Sequence, residues 1–117
     1  MRILLLAFAT GAAAACVAPL LSAPAGDLAA TVAIDNFAFT PQELTIRVGT
    51  TVTWTNRDDI PHTVMAADRS FKSNALDTDE SYSFTFSTAG EYKYFCSLHP
   101  HMTGTIVVEG ARSAAAR

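Results

Sequence analysis

Apolar and polar residues alternate in short runs from Thr31 to Glu109, and turn-forming residues separate the runs. A period of two, combined with many β-branched and aromatic residues, is typical of half-buried β-strands. No stretch keeps the 3.6-residue period of an amphipathic helix. The pattern therefore predicts an all-β domain, either a small sandwich or a barrel. The predicted strands lie at 31–39, 44–48, 51–55, 81–86, 91–96 and 105–109.

The segment from Ala66 to Leu76 is the one long gap between the predicted strands. It is too short and too polar for a convincing amphipathic helix, so we interpret it as a loop with at most a single helical turn. The bulk of the core is expected to come from aromatic residues on the strands, namely Trp54, Phe84, Phe86, Tyr92 and Tyr94.

The first 25 residues follow a different pattern. Arg2 precedes an uncharged, alanine-rich apolar run from Ile3 to Ala15, and small residues continue to Ala25. A charged start, an apolar middle and a small-residue end are typical of a secretory signal peptide. The run is too short to span a bilayer, and no second candidate span follows. We therefore predict a signal peptide at 1–25, an exported, periplasmic domain at 26–110 and a flexible tail at 111–117.

The two cysteines carry information about the compartment. Cys16 offers an alternative localisation, because a lipid on this residue would anchor the mature chain to a membrane. Ala13 stands where such anchors carry a larger aliphatic residue, which favours the signal-peptide interpretation. Once the signal is removed, Cys96 is the only cysteine, so no intramolecular disulfide can form. An unpaired thiol is a liability in an oxidising compartment unless it is buried or bound to a metal.

Charge excludes one class of partner. After Gly26 the chain carries eleven acidic residues and seven Lys and Arg, which gives a formal charge of about −4. This is mild acidity, and no basic cluster is present. Nucleic acid is therefore not an expected partner.

Three side chains that bind soft metals share one short stretch. Cys96, His99 and Met102 have the spacing C-x2-H-x2-M. A trigonal His2Cys site with a weak axial Met is the blue-copper arrangement, so a second histidine is needed from elsewhere. His62 is the candidate, because Pro61 stiffens the backbone that leads into it. The sequence thus predicts one copper ion bound by these four side chains.

The residues around these side chains resemble the cupredoxin family. The shared residues are W-x-N-R at 54–57, P-H at 61–62 and Y-x-Y-x-C-x2-H-P-x-M at 92–102. The short C-x2-H-x2-M loop is similar to that of the amicyanin branch. The resemblance implies a Greek-key β-sandwich with a type 1 copper site at one end, bound by the same four ligands. It also implies that the Asn56 side chain ties the two ligand loops together.

The resemblance further implies where redox partners dock. His99 would be partly exposed and surrounded by an apolar patch, with a dehydrogenase as electron donor and a cytochrome as acceptor. His101 departs from the amicyanin pattern, which has an aromatic residue there, and this departure puts the same partner in doubt. We interpret His101 as an exposed histidine. The residues expected in the patch are Ile60, Pro61, Leu98 and Pro100.

Two functions use such a site. The first is a monomeric electron-transfer protein that shuttles single electrons through Cu(I) and Cu(II). The alternative is a copper carrier or storage module that delivers the metal to another exported protein, since the same ligands serve both. We expect no enzyme activity, because four ligands leave no open position for a substrate. Three histidines are also too few for a trinuclear oxygen-reducing site.

Overall fold

The structure is a computed structural model that describes residues 28–110 as two four-stranded β-sheets. The predicted signal peptide at 1–25 and tail at 111–117 lie outside the described residues. Within 28–110 the chain forms no helix, and so none that is long and apolar enough to cross a membrane. The strands are β1 (Ala29–Asp35), β2 (Ala38–Thr40), β3 (Glu43–Arg47), β4 (Thr51–Asn56), β5 (Met65–Ala66), β6 (Ser81–Thr85), β7 (Gly90–Cys96) and β8 (His99–Glu109).

The first sheet has the strand order β2-β1-β4-β6, with β1 parallel to β4 and antiparallel to β2. A two-residue turn, Asn36 and Phe37, joins β1 to β2. The prediction of one continuous strand over 31–39 is therefore wrong, because the chain reverses at this turn. The consequence for the two phenylalanines is large: Phe39 is 2% exposed in the core, whereas Phe37 is 51% exposed.

The second sheet has the order β3-β8-β7-β5, and its centre is the hairpin of β7 and β8. Pairing in this hairpin continues until Cys96 lies opposite His99, with a register shift after Phe95. Strand β8 therefore begins at His99, and the predicted start at Thr105 is wrong. Backbone pairing with β7 extends the strand through a stretch that has no apolar alternation. The hairpin brings two predicted ligands together at its turn.

The core lies between the two sheets and confirms the aromatic prediction. Trp54, Phe86 and Tyr94 are at most 1% exposed, and Phe84 and Tyr92 are partly buried against them. The other buried apolar residues come from every strand except β6 and from the connection between β4 and β6. The sheets are thus joined by a continuous apolar layer, which provides a rigid frame for the residues at its end.

The long connection between β4 and β6 is a loop without a helical turn, which agrees with the interpretation of the segment at 66–76. The segment is fixed instead by short β contacts: β5 pairs with β7, Met65 bridges to Lys72, and His62 bridges to Leu76. Its Phe71 side chain is 3% exposed and stacks on Trp54 with ring centroids 5.6 Å apart. A buried aromatic anchor therefore holds this long connection against the core.

Candidate metal centre

Three predicted ligands converge at one end of the sandwich. The ligand atoms of His62, Cys96 and His99 all lie within 4.8 Å of one another. Cys96 Sγ is 3.7 Å from His62 Nδ1 and 3.7 Å from His99 Nδ1. One thiol and two imidazole nitrogens therefore face a common centre in the protein itself.

The fourth predicted ligand, Met102, lies on β8 three residues beyond His99. Its side chain is 5% exposed, belongs to the buried apolar core and lies close to the other three. His101, between them in the chain, is exposed as expected and is not one of the converging groups. A thioether is the weak, soft ligand that blue-copper sites combine with one thiolate and two imidazoles, and Met102 is the residue available for it.

His62 is held by its backbone and by its ring. Both backbone groups bond to Leu76: His62 N donates to Leu76 O at 3.1 Å, and Leu76 N donates to His62 O at 2.7 Å. The ring is fully buried, and its Nε2 lies 2.8 Å from Asp58 Oδ2. Because a carboxylate accepts, the ring hydrogen belongs on Nε2. The Nδ1 lone pair is then free to face the Cys96 thiol and a metal.

Asp58 is an electrostatic partner that the sequence reasoning missed. Burial raises the pKa of its carboxyl, but the backbone N–H groups of Phe37 and Asn36 and the His62 ring outweigh that effect. The net result is a pKa below the ordinary value for aspartate. The carboxylate is therefore charged beside the buried imidazole, where it orients the ring. The signal was present as an aspartate four residues before His62.

Thr63, not Asn56, joins the two ligand loops. Thr63 N donates to Cys96 Sγ at 3.3 Å, and Thr63 Oγ1 accepts from Ser97 N at 2.6 Å. Asn56 was expected in this role, but its Nδ2 donates to Ile60 O at 2.9 Å and to Leu76 O at 2.8 Å. Asn56 therefore closes the loop that carries His62, without a contact to the Cys96 hairpin. No residue pattern marks Thr63, because its contacts depend on how the two sheets pack.

The outer side of the centre is partly open. His99 is half-buried, in contrast to His62 and Cys96. The residues predicted to surround it are exposed at Pro61, Leu98 and Pro100 and partly exposed at Ile60. Leu98 is one of the large apolar side chains on the surface, at 50% exposure. We call these four residues the apolar rim; exposed apolar groups of this kind are typical of surfaces that contact other proteins.

This set of side chains suits copper. A thiolate and a thioether select soft ions, and two imidazoles with one thiolate form the trigonal group of blue-copper sites. The converging Nδ1 atoms and the buried Cys96 sulfur fit that requirement. When bound, copper would supply a one-electron couple between Cu(I) and Cu(II).

Comparison with known proteins agrees with the donor set. A family model described as copper binding proteins, plastocyanin/azurin family, matches residues 27–109. Amicyanin of Paracoccus denitrificans is 38% identical over 96 residues, which cover 78% of this chain and 73% of that protein. Amicyanin-alpha of Methylorubrum extorquens is 36% identical over 102 residues, which cover 83% and 84% of the two chains.

Solved structures show the same likeness in three dimensions. A novel purple cupredoxin from Nitrosopumilus maritimus matches with a TM-score of 0.66 and 36% identity, over 68% of this chain and 99% of that one. The sequence match, the all-β sandwich and the converging soft ligands agree with one another. The chain belongs to the plastocyanin/azurin family of copper-binding proteins, the cupredoxins, with copper as its cofactor and copper-based electron transfer as the function of its family.

Proposed function

We propose that this protein is a periplasmic electron carrier with one type 1 copper ion bound by His62, Cys96, His99 and Met102. The observation that carries the proposal is the equal distance, 3.7 Å, from Cys96 Sγ to the Nδ1 atoms of the two histidines. Cys96 binds as the thiolate, the two imidazoles complete the trigonal plane, and Met102 is the weak axial ligand.

The surroundings of the thiol support electron transfer. Cys96 is fully buried, and the Thr63 N–H and hydroxyl both approach its sulfur, at 3.3 and 3.7 Å. A hydrogen bond to a metal-bound thiolate spreads its negative charge and changes the redox potential. The sheet behind Cys96 and the Leu76 contacts behind His62 limit how far either ligand can move. Small ligand movement favours fast exchange between the two oxidation states.

We propose that electrons enter and leave through His99, the half-exposed ligand. Redox proteins dock on the apolar rim defined above, a dehydrogenase as donor and a cytochrome as acceptor. The imidazole of His101 is exposed beside this rim, so it contacts the partner and contributes to the choice between partners. The carrier acts as a monomer. It has no enzyme activity, because four protein ligands fill the coordination sphere and leave no open position for a substrate.

The copper-loaded protein provides the test. The proposal predicts a reversible one-electron wave in voltammetry and slow loss of copper to an excess of chelator. A copper delivery module, the second candidate from the sequence, would transfer its metal rapidly to an apo acceptor protein. Rapid transfer together with an irreversible wave would contradict the electron carrier and favour delivery. The protein recovered from a periplasmic fraction, with residues 1–25 removed, would test the expected localisation.

A further inference from the structure

The turn between β1 and β2 contains an unexpected residue. Its two central residues have positive φ, 55° at Asn36 and 58° at Phe37. Two-residue hairpin turns with positive φ at both positions prefer Asn followed by Gly. Asn36 fits this preference, whereas a bulky side chain at positive φ is a backbone outlier that costs on the order of 1–3 kcal/mol. A strained, half-exposed aromatic residue calls for an explanation outside the turn itself.

The Phe37 ring contacts both imidazoles of the metal centre. Its centroid is 5.3 Å from that of His62 and 5.2 Å from that of His99, with interplanar angles of 89° and 88°. Both contacts have the edge-to-face geometry that aromatic pairs prefer. The ring therefore touches the buried and the half-exposed histidine at the same time and covers the gap between them on the β1–β2 side.

Asp58 connects the turn to the buried ligand. Its carboxylate accepts the backbone N–H of Asn36 at 2.6 Å and that of Phe37 at 2.9 Å. The same carboxylate bonds to His62 Nε2 at 2.8 Å. One side chain therefore holds the strained turn and orients a ligand, so the position of the Phe37 ring is fixed relative to His62. Strain persists only where the surroundings over-determine it, and these bonds supply that constraint.

We propose that Phe37 is a positioning residue that shields the two imidazoles from water and limits the movement of the His99 ring. The proposal rests on the proposed copper ligation. Shielding keeps solvent from the metal, and a restricted His99 keeps the same geometry in both oxidation states. The backbone strain at Phe37 then results from an aromatic residue at a position where the turn alone would favour glycine.

Phe37→Gly separates this role from a purely structural one. Glycine adopts positive φ without strain, so the metal-free variant is expected to unfold at the same temperature as wild type or at a higher one. In the copper-loaded variant, by contrast, the metal site is expected to become more accessible to water and to bind copper less tightly. Water relaxation by Cu(II) should increase, and release of copper to a chelator should be faster by roughly tenfold, the effect of losing a supporting contact at a metal site. In the metal-free variant, NMR should show greater mobility of the His99 ring.

Two matched variants complete the experiment. Asn36→Gly relaxes the other position of the same turn and keeps the ring, so wild-type copper release and water relaxation are expected. Phe37→Tyr keeps the aromatic cover and should also behave as wild type. Phe37→Leu keeps a smaller apolar side chain at the same position, so its copper release is expected to lie between those of wild type and Phe37→Gly.

The outcomes distinguish this inference from the proposed function. Wild-type protein without thiolate–copper absorption would overturn the proposed function and this inference with it. A blue wild type combined with wild-type water relaxation and copper release in Phe37→Gly would overturn the inference alone. A lower unfolding temperature of metal-free Phe37→Gly would also overturn it, because the ring would then serve the fold.

Discussion

The two histidines of the centre have the same distance to the thiol but opposite surroundings. His62 is fully buried, its Nε2 is bonded to Asp58, and its backbone is paired with Leu76. His99 is half-buried at the hairpin turn, and within residues 28–110 its ring has one hydrogen-bond contact, between Nδ1 and Cys96 Sγ. Under the proposed function, the difference separates two tasks: the interior ligand fixes the geometry, and the rim ligand exchanges electrons with a partner.

Removal of the His62 or the His99 imidazole should show the largest difference between the two ligands. His99→Gly leaves a gap that opens to solvent, so added imidazole is expected to enter it and restore the visible absorption of the copper protein. His62→Gly leaves a gap behind the surface, closed by Asp58 and Phe37, so the same concentration of imidazole should restore little colour. Titration of both variants with imidazole measures the difference. Equal rescue of the two variants would contradict the distinction between an interior and a rim ligand.

Asp58 should matter next, because its carboxylate bonds to the interior ligand and also holds the turn at Phe37. Asp58→Asn places an amide where the charged carboxylate accepts three hydrogen bonds. Loss of such a partner typically costs about 10–100-fold in metal affinity. A competition assay between the variant and a chelator measures the loss. Asp59→Asn, a change at an exposed neighbouring carboxylate, is the control and should bind copper as tightly as wild type.

The buried phenol of Tyr94 makes the free energy of unfolding of the sandwich depend on pH. Burial raises the pKa of its phenol to about 12, against a smaller lowering effect of the Trp54 side chain. The unfolded chain ionises near the ordinary value of 10, so the folded state holds more protons above that pH. The free energy of unfolding should therefore decrease between pH 10 and 12, by up to about 2–3 kcal/mol. Urea unfolding of Tyr94→Phe should show a smaller decrease over that range, and an equal decrease would exclude this tyrosine as the cause.

Loss of the Thr63 hydroxyl, which joins the loop of His62 to the β7–β8 hairpin, should have the smallest effect. Thr63→Val removes the hydroxyl that bonds to Ser97 but keeps the backbone N–H that bonds to Cys96. A lost hydrogen bond of this kind costs about 1 kcal/mol, and an unsatisfied N–H can add to it. We expect lower stability in urea unfolding with the visible absorption retained. Loss of the absorption would show that the hydroxyl, and not the backbone, controls the thiolate.

The sequence predicted the features that depend on local pattern and on residue chemistry. Alternation predicted the all-β sandwich and most of its strands, and the aromatic core at Trp54, Phe86 and Tyr94 is confirmed. The soft ligands predicted the copper family, because thiolate, thioether and imidazole are informative without coordinates. The structure brings His62, Cys96 and His99 together, as the spacing and the stiffened Pro61 loop suggested.

The features that were missed depend on contacts between distant segments. The turn at Phe37 carries no glycine, so the pattern predicted a continuous strand across it. Strand β8 begins at His99 because of pairing with β7, which the residues at 99–104 do not reveal. The role of Thr63 arises from Cys96 and Ser97, which lie 33 and 34 residues away in the chain. The contacts of Asp58 with the turn arise from Asn36 and Phe37, 22 and 21 residues away. Such partners are chosen by packing, which leaves no periodic signal in the sequence.

The most direct test of the account is a titration of the metal-free protein with Cu(II), followed by visible absorption. The account predicts an intense blue thiolate–copper band that reaches its maximum at one copper per chain. It also predicts that Cys96→Ser removes the band while His101→Ala retains it. A colourless adduct, or a band that persists in Cys96→Ser, would contradict the proposed site.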